Sequence, residues 1–145
     1  MKRRTFFQIS FVLVIIIGLY AWVNKDRWLM EFNQSRVEQT EQFKSAGDRY
    51  GMSNDQQACL DKALNEFDGC LGYSCTVNQG IFLKACLNQA QPSPGFCEGV
   101  PEYREKPTED DKSWAKYYCW DNNIRGEGCR LLMKQQQYFC SGSTK

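Results

Sequence analysis

Cysteine is the residue type in this sequence with the clearest capacity for chemistry. The 145 residues include eight cysteines and no histidine. Without histidine, Cys-His and Ser-His nucleophiles and imidazole metal ligands are excluded. An even number of cysteines at this density favours disulfides formed in an oxidising compartment. The sequence contains no Cys-x-x-Cys motif, which argues against both a thioredoxin-like redox site and a zinc site.

The spacing of the cysteines indicates that helices hold them. Three pairs are separated by 11 residues, namely Cys59 and Cys70, Cys75 and Cys86, and Cys129 and Cys140. Eleven residues make about three turns of an α-helix, so both cysteines of a pair would lie on one face. Thiolates at this spacing would stand about 16 Å apart, which is too far for one zinc ion. We therefore predict three helices whose buried stripes begin and end with a cysteine, and no metal site.

The first four cysteines also fit the register of an antiparallel helical hairpin. In such a hairpin the residue numbers of any two facing residues add up to the same value. The pair Cys59 and Cys86 gives the same value as the pair Cys70 and Cys75. The short connection between the two helices contains Gly72, as a tight turn requires. The register predicts the disulfides Cys59–Cys86 and Cys70–Cys75.

This hairpin resembles, in its architecture, the twin Cys-x9-Cys helical hairpins of mitochondrial intermembrane-space proteins. The resemblance covers Cys59 to Cys86, where each interval holds ten residues instead of nine. It implies an assembly or accessory role, as an analogy of architecture and not as membership of that family.

A second half of the chain holds the other four cysteines. Residues 91–107 contain all four prolines and predict an irregular connector. Thr108 with Asp111 predicts the cap of a helix that runs to about residue 121, and the last helix is predicted over 127–139.

Two of these cysteines, Cys119 and Cys129, flank the second predicted turn, just as Cys70 and Cys75 flank the turn of the first hairpin. This predicts the disulfide Cys119–Cys129 and leaves Cys97–Cys140 as the fourth. Four cysteines allow three pairings, so the other two combinations stay open at this point.

An apolar N-terminal segment places the cysteines on one side of a membrane. Three basic residues at positions 2–4 precede an apolar run, and residues 5–23 predict a single transmembrane helix. The small residues that signal cleavage requires are poorly placed, so an uncleaved anchor is favoured over a cleavable signal peptide. By the positive-inside rule residues 1–4 are cytoplasmic and residues 24–145 lie outside. We predict a bacterial inner-membrane protein facing the periplasm, or else a mitochondrial inner-membrane protein facing the intermembrane space or an ER protein facing the lumen.

The residues beyond the anchor divide into a stalk and a domain. Residues 24–47 predict a juxtamembrane helical stalk, either solvated or packed on a partner. Residues 48–145 predict a disulfide-rich domain, whose first helix opens on a capping box of Ser53 and Gln56. The predicted fold class is all-α: one transmembrane helix, a helical stalk and a small disulfide-stapled domain of two helical hairpins.

A search for catalytic groups returns little. Ser113-Trp-Ala-Lys116 fits the Ser-x-x-Lys pattern, but the companion motifs of penicillin-recognising enzymes are absent. The pair Cys70 and Cys75 could cycle as a redox site, although a staple at a turn is the simpler interpretation. We expect no enzyme activity, cofactor, small-molecule substrate or nucleic acid.

Charge and aromatic residues favour a protein partner instead. Residues 46–111 hold five basic and 11 acidic side chains, whereas residues 112–145 hold six basic and two acidic ones. Such a distribution either draws the two halves of the domain together or forms a bipolar surface that can orient a partner. The richest aromatic cluster supplies the predicted partner-binding residues, which are Tyr103, Trp114, Tyr117, Tyr118 and Trp120.

The first hypothesis is therefore a membrane-anchored protein-binding module, either an accessory subunit of an inner-membrane complex or an inhibitor or immunity-type protein. The alternatives are an envelope thiol-disulfide or other small enzyme, and a structural tether or lysis-type membrane protein.

Overall fold

The protein is all-helical in a computed structural model that describes residues 2–68, 70 and 72–143, so Met1, Gly69, Leu71, Thr144 and Lys145 lie outside the described residues. The predicted all-α fold class is confirmed for this part of the chain. The helices are α1 (Lys2–Gly51), α2 (Gln56–Phe67), α3 (Tyr73–Gln89), α4 (Glu109–Asp121) and α5 (Glu127–Ser143).

Helix α1 includes both the predicted anchor and the predicted stalk without a break. Its most apolar 18-residue window has a mean hydropathy of 2.0, and none of that window is buried. By length and composition it can span a membrane. The chain separates into two compact units, Met1–Glu38 and Gln39–Lys145, and the second unit is called the head below. The last turns of α1, which the sequence assigned in part to the stalk, therefore belong to the head.

These last turns of α1 pack directly on α3 through two buried glycines, Gly47 and Gly51. A Cβ atom on Gly47 would lie 2.9 Å from the Cβ of Ala85 and would collide with the carbonyl oxygen of Phe82. The two backbones therefore touch, which only a residue without a side chain allows. Beside the glycines, the ring of Tyr50 packs 5.9 Å from the ring of Phe82, measured between centroids.

The start of α2 differs from the prediction. The N-cap is Asp55, whose side chain accepts a hydrogen bond from the backbone N–H of Ala58 at 2.9 Å, so Ser53 does not cap the helix. The reason is a contact distant in sequence. The connector residue Gln91 exchanges backbone hydrogen bonds with both neighbours of Asp55, at 3.0 and 3.2 Å, and this pairing fixes where the helix begins.

The end of α2 also differs from the prediction. The helix stops at Phe67 and Asp68 adopts an extended conformation, so Cys70 lies beyond the helix. The prediction that Cys59 and Cys70 share one helix is therefore wrong, whereas the other two pairs at the same spacing do lie on single helices, α3 and α5. The hairpin register survives this error because Cys70 closes the turn with Cys75.

The second half follows its predicted outline closely. Thr108 and Asp111 form the predicted capping box, with hydrogen bonds of 3.2 Å from the Asp111 N–H to the Thr108 hydroxyl and 2.8 Å from the Thr108 N–H to the Asp111 carboxylate. Helix α5 extends to Ser143, beyond the predicted end at residue 139. It is the central helix of the head, because it packs against α2, α3 and α4.

Four disulfides pair all eight cysteines, and they match the four predicted pairings. Three of the half-cystines, Cys59, Cys86 and Cys129, are fully buried in one continuous apolar core that draws on both halves of the head. The disulfides are Cys59–Cys86, Cys70–Cys75, Cys97–Cys140 and Cys119–Cys129.

The capping box makes the stability of the head depend on pH. The hydrogen bond from the Thr108 backbone lowers the pKa of the Asp111 carboxyl, with Arg104 3.7 Å away contributing in the same direction. A carboxyl whose pKa is lower in the folded state adds stability above its unfolded pKa and loses it as pH falls through the folded value. We expect Asp111→Asn to weaken the head at pH 7 and to flatten the fall in its melting temperature between about pH 5 and pH 2.

The matched control for this prediction is Asp110→Asn, because Asp110 is an exposed neighbour in the same helical turn and is not part of the box. Thermal unfolding followed by circular dichroism measures both variants. An equal response of the two variants to acid would show that the box does not set the pH dependence.

Candidate protein-binding surfaces

The five aromatic residues predicted to bind a partner lie in three different environments. Tyr117 and Trp120 stand on the outer side of α4 with 57% and 59% of their surfaces exposed, and their ring centroids lie 6.0 Å apart in an edge-to-face arrangement. Neither ring belongs to the core. Large rings that are ordered against each other but left in solvent are typical of protein interfaces.

Trp114 and Tyr118 lie on the other side of α4 and serve the fold. Both are partly buried and pack against the core. Burial raises the pKa of the Tyr118 hydroxyl, and the nearby Asp61 carboxylate of α2 raises it further. Tyr118 therefore lies between α4 and α2, where a partner would have limited access to it.

Basic side chains lie beside Trp120 of the exposed pair on α4. The Nζ atom of Lys116 stands 4.4 Å from the centroid of the Trp120 ring, as in a cation–π contact. This places the amine of the Ser113-x-x-Lys116 motif against the indole. Arg125 joins Lys116 and Trp120 in lining a shallow depression of about 610 Å³. We call Lys116, Tyr117, Trp120 and Arg125 the α4 surface.

Tyr103, the fifth predicted residue, lies elsewhere. Its ring packs edge-to-face on Tyr138 of α5 at 5.2 Å, and the Nζ atom of Lys134 stands 5.4 Å from it. Its backbone N–H donates a 2.7 Å hydrogen bond to the hydroxyl of Ser141, which fixes this part of the connector to α5.

Tyr103 and Tyr138 belong to a groove that sequence reasoning missed. The groove runs between α3 and α5, has a volume of about 540 Å³ and is predominantly apolar. Its exposed members include Tyr73 at 75%, Leu131 at 48% and Tyr138 at 59%. We call it the α3/α5 groove, and it is lined by Tyr73, Thr76, Val77, Gly80, Ile81, Lys84, Tyr103, Leu131, Leu132, Lys134, Gln135 and Tyr138.

Two features of the sequence could have indicated this groove. Gly80 occupies the middle of α3, where glycine is unfavourable by about 1 kcal/mol relative to alanine. In α5 the apolar Leu131 lies beside the buried Leu132 but faces outward. The sequence does not show that α3 packs on α5, so neither feature is enough to locate the groove.

Within the described residues, no group of three or more cysteine, aspartate or glutamate side chains is arranged to hold a metal ion. Comparison with known protein families, with curated proteins and with solved structures found no match to this chain. The surfaces of the head are therefore the basis for assigning a function.

Proposed function

We propose that this protein is a membrane-anchored protein-binding module whose head lies outside the cytoplasm. The observation that carries the proposal is the exposed aromatic pair Tyr117 and Trp120, set among basic groups on a head held rigid by disulfides. The core does not require these rings, since Trp114 and Tyr118 fill the inner side of the same helix. A function in binding accounts for why they are present.

The partner that fits this surface is a folded protein with an acidic patch. Lys116, Arg125 and Arg130 line the depression next to Trp120, and Glu127, the one acidic residue among the described lining residues, is paired with Arg130. A net positive charge around an aromatic anchor favours a partner of the opposite sign and speeds its approach. The role that follows is that of an accessory subunit of an inner-membrane complex, or of an inhibitor or immunity-type protein.

The proposed location is a bacterial inner membrane, with the head in the periplasm. The N-terminal helix supplies an apolar segment long enough to span, and basic residues precede that segment. Four disulfides would persist in the periplasm but not in a reducing cytoplasm. The chemistry proposed for the head is recognition, with no catalytic step.

Purification of the full chain from its native membranes in mild detergent tests the proposal. We expect a second protein to be recovered in stoichiometric amount and to be released by high salt, because the proposed contact is rich in charge. Recovery of the chain alone, after cross-linking in intact cells as well as without it, would count against a binding function.

Trp120→Ala tests the α4 surface most directly. Aromatic anchors at the centre of an interface contribute about 2 kcal/mol or more, so we expect the affinity for the recovered partner to fall about 30-fold. The melting temperature should stay nearly unchanged because the ring lies outside the core.

Met52→Ala is the matched control for this variant, since Met52 is an equally exposed apolar residue, at 64%, away from α4. Its effect on affinity should be below about twofold. If Trp120→Ala and Tyr117→Ala both bind as the unaltered protein does, the α4 surface is not the interface.

A further inference from the structure

We propose that the α3/α5 groove is a second docking site, which receives an amphipathic helix of a partner protein with an apolar stripe edged by carboxylates. The proposal rests on the proposed binding function and adds the chemistry of what is bound. Three properties of the groove carry it: an apolar lining, a glycine at its floor and a charge of one sign.

The apolar lining of the groove is drawn from both helices. Tyr73 and Val77 on α3 and Leu131 and Tyr138 on α5 line the groove, and all of these side chains except Val77 are exposed. Contiguous apolar surface between two packed helices is typical of sites that receive a third helix.

The groove is long enough for such a helix. Towards the C-terminal end of α3 the groove continues into a smaller depression of about 260 Å³. The two depressions share Lys84, Gln135 and Tyr138. Together the two depressions follow α3 from Tyr73 to Asn88, which corresponds to about 22 Å of helix. This length matches about four turns of a bound helix.

Gly80 is explained by a bound helix and not by the packing of the head. A Cβ atom built on Gly80 meets no described heavy atom within 4 Å, in contrast to Gly47 and Gly51, where the neighbouring helix fills the space. A mid-helix glycine in open space lowers the stability of the helix, and no close packing requires it there. At the floor of a groove it lets the backbone of a bound segment approach closely.

The charges of the groove select the partner. Among the described residues that line it, Lys84 and Lys134 are the charged ones, and none of these lining residues carries a carboxylate. Carboxylates along one edge of a bound helix would meet these two amines, whereas a basic segment would be repelled. An acidic edge is therefore part of the proposed ligand.

Photo-cross-linking in native membranes tests the proposal with the full chain. A photoreactive amino acid replaces Leu131 in one variant and Tyr117 in another, and cross-linked peptides are identified by mass spectrometry. From position 131 we expect an adduct on a partner segment with apolar residues at helical spacing and neighbouring Asp or Glu. An adduct on a second copy of this chain, on lipid, or on a segment without this pattern would overturn the proposal.

Two sets of variants show whether the adduct depends on the groove. A Cβ atom at position 80 has open space around it, and the remainder of a leucine side chain would occupy the groove. We therefore expect Gly80→Leu to lower the adduct from position 131 at least tenfold with no loss of thermal stability. Lys84→Glu with Lys134→Glu should give a similar loss, restored by basic substitutions at the carboxylates of the captured segment. An adduct that persists in both sets overturns the proposal.

The two proposals fail in different ways. If position 117 is cross-linked to a partner and position 131 is not, the groove is not a docking site and the binding function stands. If neither position yields an adduct on another protein, both proposals are contradicted.

Discussion

Replacement of Cys59 and Cys86 together by alanine is expected to lower the free energy of unfolding of the head by about 3.5 kcal/mol. The two cysteines are separated by 27 residues, and closing a loop of this size restricts the unfolded chain by about that amount. Both half-cystines are fully buried, so their loss also leaves space in the core. A domain of this size has little stability to spare, and we expect part of the population to be unfolded at 37 °C.

The matched control is removal of the disulfide Cys70–Cys75, which closes a loop of only five residues. The same relation gives about 2 kcal/mol for this loop. Urea unfolding of the full chain in detergent, followed by circular dichroism, measures both variants. A larger loss for the inner disulfide than for the outer one would contradict the hairpin account, in which the outer disulfide fixes the two helices and the inner one only closes the turn.

Gly47→Ala is expected to destabilise the head by about 1 to 3 kcal/mol, although alanine is the better helix former. The new methyl group would press into the α3 backbone at Phe82 and Ala85, and a backbone cannot rotate away as a side chain can. The helices would have to separate, which would loosen the packing of Tyr50 on Phe82 as well. For a domain of this size the shift in melting temperature is about 4–8 °C per kcal/mol.

Gly80→Ala makes the identical chemical change in a helix where the space is open. Here we expect a gain of about 0.5–1 kcal/mol, so the two variants should move the melting temperature in opposite directions. If both variants stabilise the head, Gly47 is not a contact point between α1 and α3. If both destabilise it, Gly80 has a packing role that the open space around it does not suggest.

The parts of the fold that sequence reasoning recovered depend on local rules. The capping box at Thr108 and Asp111 involves residues three positions apart, and the hairpin register depends only on the positions of four cysteines. Neither rule requires knowledge of how distant segments meet. This is why α4 and the disulfides that close its turn and the first hairpin were predicted, whereas Cys97–Cys140 followed only by elimination and the boundaries of other elements were not predicted.

The start of α2 shows what local rules leave out. Ser53 and Asp55 are both good capping residues, and Ser53 with Gln56 has the better local pattern. The choice is made by Gln91, which pairs with the backbone on both sides of Asp55 from 36 residues away. Such a pairing is not encoded near the helix terminus, so a local pattern could not have identified it.

The orientation of α4 shows the same limit for the binding surface. Its buried stripe runs through Asp111, Ala115 and Cys119, which places Tyr117 on the opposite, outward side. Tyr118 lies about 60° around the helix from Ala115, the middle of this stripe, whereas Trp120 lies about 140° from it, so periodicity separates the two rings once the stripe is known. Which stripe of α4 is buried depends on how the helix packs in the head, and only the folded arrangement supplies that information.

The nesting of the four disulfides has a consequence for how the chain matures. Two of them lie within residues 59–86 and two within residues 97–140, and none of the four links one set to the other. If the head is exported as proposed, oxidation can follow the order in which the polypeptide emerges, with the first set complete before the second arrives. A single proteolytic cut in the connector would leave two separately cross-linked fragments, held together by non-covalent contacts such as those of α5 with α2 and α3.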